Sequence, residues 1–265
     1  PKRIASTKVL DSRIELLSDA PAIKNKCLVH FHLATSETIA RIILYDREEL
    51  KAGESCYCQL RLNDAVVSLS GDRFVIRRFS PVITVGGGTV LDPSPMRRRR
   101  KEGTEDLAIL ENGNLSDRVA IKIKKSGLAG MEASALVGWI KAEMPSIEDS
   151  IKNLISDKTL IKLDSRLFHR NTYDSLSKSI KETIEKFHKN NPLSSGMPKE
   201  ELRTSLKVSP DVWNSLLSSL PIVAVEKDVV RLKDFKAASS DASQSSNKII
   251  HLLEKARFQP QTKEE

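Results

Sequence analysis

The segment Arg78 to Pro93, RFSPVITVGGGTVLDP, sets three consecutive glycines inside a run of β-branched residues and closes it with proline. Val82, Ile83, Val85, Val90 and Leu91 favour a strand, because branched side chains fit a pleated, half-buried surface. Gly86, Gly87 and Gly88 interrupt the run where a backbone must bend or lie close against another strand. Asp92, Pro93 and Pro95 end the ladder, since proline has no donor and restrains the residue before it. The polybasic run Arg97 to Lys101 follows at once. A barrel-like β domain therefore stops here and something different begins.

Upstream, Cys27, Val29, Phe31 and Leu33 alternate with Leu28, His30 and His32. Cys56, Cys58, Leu60 and Leu62 alternate in the same way with Tyr57, Gln59 and Arg61. Phe74 and Ile76 continue the pattern after the turn Ser70-Gly71-Asp72. Short alternating strands separated by turn signals predict a small antiparallel barrel over residues 1–96.

After a basic linker, 97–104, the period changes. Leu107, Leu110, Val119, Ile121 and Ile123 predict helical material broken near Asn112-Gly113. Ser146 to Ile155 reads as a helix, with Ser146 and Asp149 as a capping box and Ile147, Ile151, Leu154 and Ile155 on one face. Two strand-like runs around Asp164-Ser165 follow, which is the ending of a winged helix. The shift that carries Leu154 onto Leu216 also carries Leu160 onto Ile222, Ile161 onto Val223 and Leu167 onto Val229. Ser209-Pro210 starts another helix as N-cap and first-turn proline. Such self-similarity means a duplicated unit. The prediction is two winged helices, 105–171 and 172–236, then a Ser/Ala-rich linker, 237–246. Residues 247–265 echo the opening helix of the second repeat and read as the start of a third.

The segment SPVITVGGGTVLDP resembles the close of the third β domain in the bacterial selenocysteine-specific elongation factor family, SelB, with Val85 where isoleucine is usual. His32 to Glu37, HLATSE, is similar to the family's His-Leu-Gly-Thr-Ala-Glu, departing at Ala34 and Ser36. Asn191 to Arg203, NPLSSGMPKEELR, is similar to a pattern in the tandem winged helices that follow that domain in the family. The resemblance implies an elongation-factor domain III-like β-barrel followed by tandem α+β winged helices. It further implies contact of the barrel with selenocysteinyl-tRNA, and an arm reaching towards an mRNA hairpin and the ribosome. GTP and Mg belong, in the family, to an N-terminal domain. Asn25-Lys26-Cys27-Leu28 lacks the aspartate of a guanine-reading Asn-Lys-x-Asp, so no cofactor and no catalysis are expected of these residues. Pro1 stands without an initiator methionine, and the sequence reads as part of a longer protein.

A formal net charge of +8 points to an anionic partner, most simply nucleic acid. Aromatic residues make up 5% of the chain, too few for a broad base-stacking platform. Three cysteines suggest a reducing, cytoplasmic setting, and no apolar run is long enough to span a membrane. Cys56 and Cys58 with His30 and His32 could hold zinc in principle, but the spacing favours buried cysteines. The candidate RNA contacts are Arg97, Arg98, Arg99, Arg100 and Lys101, widened by Lys122, Lys124 and Lys125. Lys199, Arg203 and Lys207 recur at a spacing that sets them on one helical face. For each of these a plainly solvated face is the competing reading. A tandem winged-helix DNA-binding regulator with a β ligand domain stays open as an alternative, though the helices preceding each hairpin carry few base-reading side chains. Nothing in the sequence marks a self-association seam, so a monomer is expected.

Overall fold

The structure is a computed structural model, and it describes residues 6–95 and 103–235 together with Ile250. The run Arg97 to Lys101, the linker 237–246 and all of 247–265 except Ile250 lie outside the described residues. The first part holds β1 (Ser6–Leu16), β2 (Ile23–Lys24), β3 (Leu28–Leu33), β4 (Ser36–Leu44), β5 (Glu49–Leu50), β6 (Ser55–Val67), β7 (Arg73–Arg77) and β8 (Thr84–Asp92). Six of these close an antiparallel barrel in the order β1-β6-β4-β3-β7-β8. The pair β2–β5 stands apart as a small ribbon.

Alternation decides what the barrel buries. Val29, Phe31 and Leu33 on β3 and Cys56, Cys58, Leu60 and Leu62 on β6 all face the core. The Phe31 and Phe74 rings meet at 5.1 Å between centroids. Burying one such side chain stabilises the fold by about 1.5–3 kcal/mol.

The three glycines lie within β8, where they pass close against both neighbours. A Cβ on Gly86 would stand 2.2 Å from the Glu15 carbonyl oxygen, and one on Gly88 2.0 Å from that of Arg13 and 2.7 Å from Phe74 Cζ. The β1–β8 register shifts between Asp11 and Ser12, and the β7–β8 register between Ile76 and Arg77. Val82 and Ile83, read as strand, instead lie in the β7–β8 connection and are exposed. The Arg78 N–H donates to the Ile83 carbonyl at 2.9 Å and closes that connection ahead of Thr84. Proline at 81 offers no donor with which a ladder could begin earlier.

Next come α1 (Glu105–Asn112), α2 (Leu115–Ser126), β9 (Met131–Glu132), α3 (Ala133–Val137), α4 (Met144–Ser156), β10 (Leu160–Leu163) and β11 (Arg166–His169). The break between α1 and α2 is held by a capping box. Asn114 Oδ1 accepts from the Asp117 N–H, and Asp117 Oδ2 accepts from the Asn114 N–H. Helix α4 starts earlier than the sequence reading, with Glu143 as N-cap and Pro145 in the first turn. Proline is pre-set for that turn, so Ser146 falls inside the helix and its carbonyl accepts from Ser150 Oγ.

The chain divides into two compact units between Thr172 and Tyr173. The second is built from α5 (Arg170–Asn190) after its first three residues, then β12 (Met197–Pro198), α6 (Lys199–Leu206), α7 (Pro210–Ser219), β13 (Val223–Glu226) and β14 (Val229–Leu232). Its sheet order, β12-β14-β13, repeats the order β10-β11-β9 read from the other edge. Hence both units carry the winged-helix topology. Their wings superpose one residue later than the alignment of Leu154 on Leu216 implies. Leu160 pairs with His169 where Val223 pairs with Leu232, and the turn residues Asp164 and Lys227 both sit at φ 50°. A one-residue slip in a strand exchanges its faces, so this register is the one that keeps Leu167 and Val230 inside.

Within the first unit the barrel and its winged helix are joined by buried polar groups. Asp92, the last residue of β8, accepts from Lys122 Nζ at 2.7 Å and from Trp139 Nε1 at 2.8 Å through one oxygen. Lys122 also donates to the Ser94 carbonyl and hydroxyl. Ser70 accepts from Arg118 and donates its N–H to the Trp139 carbonyl, while Glu111 accepts from Tyr57 and Arg13. Leu91, Tyr45 and Tyr57 from the barrel pack into the same apolar cluster as Leu107, Leu110 and Ile123.

Candidate nucleic-acid interface

The barrel wall formed by β6, β4, β3 and β7 turns its cations outward. Arg61 on β6 stands directly opposite Arg41 on β4, and Arg41 opposite Leu28 on β3. In a neighbouring row Ile39 faces His30, and His30 faces Arg77 on β7. Like charges directly opposed across a ladder destabilise it. Arg61 Nε donates to Gln59 Oε1 at 3.0 Å, and neither Arg41 nor Arg61 has an ion pair among the described residues. Glu37 on β4 sets its Oε1 3.1 Å from His30 Nδ1 and 3.9 Å from His32 Nε2.

Beside the arginines, the β7–β8 connection exposes Phe79, Val82 and Ile83. The Phe79 ring lies 4.3 Å from that of His30. Leu28 and Val75 extend the exposed apolar surface along the same strands. A surface that mixes unpaired guanidinium groups with an accessible aromatic ring can bind phosphates and stack a base or sugar face.

The residues chosen from sequence fare differently. Lys122 is a correction: it is 5% exposed and spent on Asp92, so it cannot reach a phosphate. Burial pulls its ammonium below the usual lysine range, with the Asp92 carboxylate working in the opposite direction. Lys125 is held by Asp106 at 2.5 Å. Lys124 is exposed, and with burial it lowers the affinity of His169 for a proton. Lys199 opens α6, and Arg203 is bound to Glu200 and to the Val208 carbonyl. Lys207 lies past the helix end at φ 55°, which breaks the expected stripe of three cations. The helices before the two hairpins remain poor in cations: Lys152 of α4 pairs with Asp149, and α7 has neither arginine nor lysine.

Arg41 and Arg77 were missed because facing cations become visible only once strand register is known. Arg61 was already on the outward face of an alternating run. The zinc reading has no structural support: Cys56 and Cys58 point into the core, and burial raises the Cys56 thiol to about 11. No cluster of three or more metal-ligating side chains occurs among the described residues.

Comparison with known proteins matches two parts of the chain. Residues 10–97 match the family described as selenocysteine-specific elongation factor, beta-barrel domain, and residues 182–232 match the elongation factor SelB winged helix. The barrel and the second winged helix are SelB-family domains. A selenocysteine-specific elongation factor from Desulfomicrobium baculatum is 27% identical over 244 residues, covering 88% of this chain and 38% of that relative. The crystal structure of a bacterial selenocysteine-specific elongation factor, EF-Sec, superposes with a TM-score of 0.66 at 15% identity. That superposition covers 94% of this chain and 38% of the solved one, and it bears on fold alone. The SelB-type barrel thus holds the arginine wall, and the SelB-type winged helix includes α6 and α7. No helix among the described residues is long and apolar enough to cross a membrane.

Proposed function

We propose that this chain is the RNA-handling part of a selenocysteine-specific elongation factor. Its barrel holds selenocysteinyl-tRNA, and its winged helices form an arm towards an mRNA hairpin on the ribosome. GTP and Mg are the business of a GTPase domain outside these residues, and this chain catalyses nothing itself. Its work is positioning, which raises the effective concentration of the cargo tRNA near its codon. It acts as a monomer in the cytoplasm.

The observation that carries this reading is the outward Arg41–Arg61 pair on a SelB-type barrel. Two opposed guanidinium groups lose their mutual repulsion when a phosphate lies between them, and they release its counterions. The cation-poor helices α4 and α7 speak against the DNA-binding regulator, which must reach base edges in the major groove. The deciding experiment measures binding to selenocysteine tRNA, the mRNA hairpin and random duplex DNA across a salt series. RNA preference with a steep salt dependence supports the proposal. Tighter, sequence-dependent DNA binding overturns it.

A further inference from the structure

The junction at the end of β8 points beyond RNA binding. Asp92 and Lys122 are almost wholly out of water, and Trp139 closes over them with its ring centroid 4.9 Å from Lys122 Nζ. Around this dry centre lie partly exposed links: Ser70 with Arg118, Glu111 with Tyr57 and Arg13, and Asp72 with Lys141. Ser70 and Ile140 also form a backbone bridge. A buried core with a polar rim is the anatomy of a stable interface rather than of a tether. The contacts come from β1, β6, β8 and the loop before β7 on one side. On the other they come from α1, α2 and the segment after α3.

We propose that the barrel and the first winged helix move as one rigid lever, bolted by Asp92, Lys122 and Trp139. The first winged helix is then a fixed extension that sets the direction in which the arm leaves the barrel. Lys122 acts as a positioning residue, because from α2 of the winged helix it holds the barrel through Asp92. The inference is independent of whether the barrel binds RNA.

The test uses the full chain with a site-specific protease sequence inserted after Met96. After cleavage, the two pieces should co-elute on gel filtration and separate only in denaturant. Lys122→Met leaves Asp92 buried without its cation and should weaken the association of the pieces about 100-fold or more. In Asp92→Leu/Lys122→Met, which removes both charges, association should return in large part. Should Lys122→Met not fold, the uncut chain still decides the matter. With Cys27→Ser and spin labels at positions 51 and 158, a single narrow distance supports the lever. A broad distribution, or cut wild-type pieces that separate while each stays folded, overturns it.

Discussion

Lys122 Nζ lies 2.7 Å from Asp92 Oδ1, and the two come from opposite sides of the barrel–winged-helix junction. Neither charge is tolerable there alone. Removing one member of a buried pair typically costs about 3–5 kcal/mol, whereas replacing both with apolar groups is often neutral. Lys122→Met should therefore lower the unfolding free energy of the first unit by about that amount, and Asp92→Leu/Lys122→Met by much less. Urea denaturation followed by tryptophan fluorescence, with Trp139 at the junction, measures both.

The arginine wall makes an opposite pair of demands. Arg41→Gln and Arg61→Gln should each weaken tRNA binding and reduce the slope of log affinity against log salt by about 1. Each should also leave stability unchanged or raise it by about 0.2–1 kcal/mol, because it removes a cross-strand repulsion. Unchanged tRNA affinity in both variants would separate this wall from RNA binding.

Gly88 admits no side chain. Its Cβ would meet backbone at the Arg13 carbonyl as well as the Phe74 ring, and backbone cannot step aside as a side-chain tip does. Gly88→Ala should cost about 3 kcal/mol or more. Thermal unfolding of the barrel reads this directly.

Ala34 occupies a left-handed position, φ 52°, in the turn that joins β3 to β4. A Cβ there is strained by about 1–2 kcal/mol, part of which glycine gives back as chain entropy in the unfolded state. Ala34→Gly should raise stability by up to about 1 kcal/mol, seen as an upward shift in Tm.

In the second unit, His188 stacks on Phe235 at 3.5 Å and its Nε2 accepts from the Leu232 N–H at 3.4 Å. Burial, then nearby Arg231, pull its pKa below the ordinary histidine value. The neutral imidazole is thus favoured on folding. Its contribution is present above the unfolded pKa of about 6.5 and is lost as pH falls through the folded value. Stability of the second unit should drop across that acid window, and His188→Gln should flatten the dependence. Denaturation midpoints taken from pH 7.5 downwards check both.

The alternating runs of β3 and β6 were legible because each has one wet face and one dry one. Strand β1 was not, since a polar Ser12 shares the core side with Leu10 and Ile14 while Asp11 on the opposite face is also buried, which spoils its period. Strand β4 hid for another reason: Ile39 and Ile43 on its outer face are as apolar as Ala40 and Ile42 within. Sequence showed that Lys122 is basic but not that Asp92 would be its partner 30 residues away. Likewise, the Arg41–Arg61 opposition depends on register, which no local pattern in either strand carries.

The pairing of β8 with β1 has a temporal consequence. Asp11 pairs with Asp92 and Ile14 with Gly88, so the barrel closes between the first and last of its strands. Contacts so distant along the chain must wait for loop closure. On the ribosome, the barrel cannot complete itself until β8 has left the exit tunnel. The first winged helix, made after β8, then docks on the end of that same late strand, so the barrel must close before its extension can be fixed.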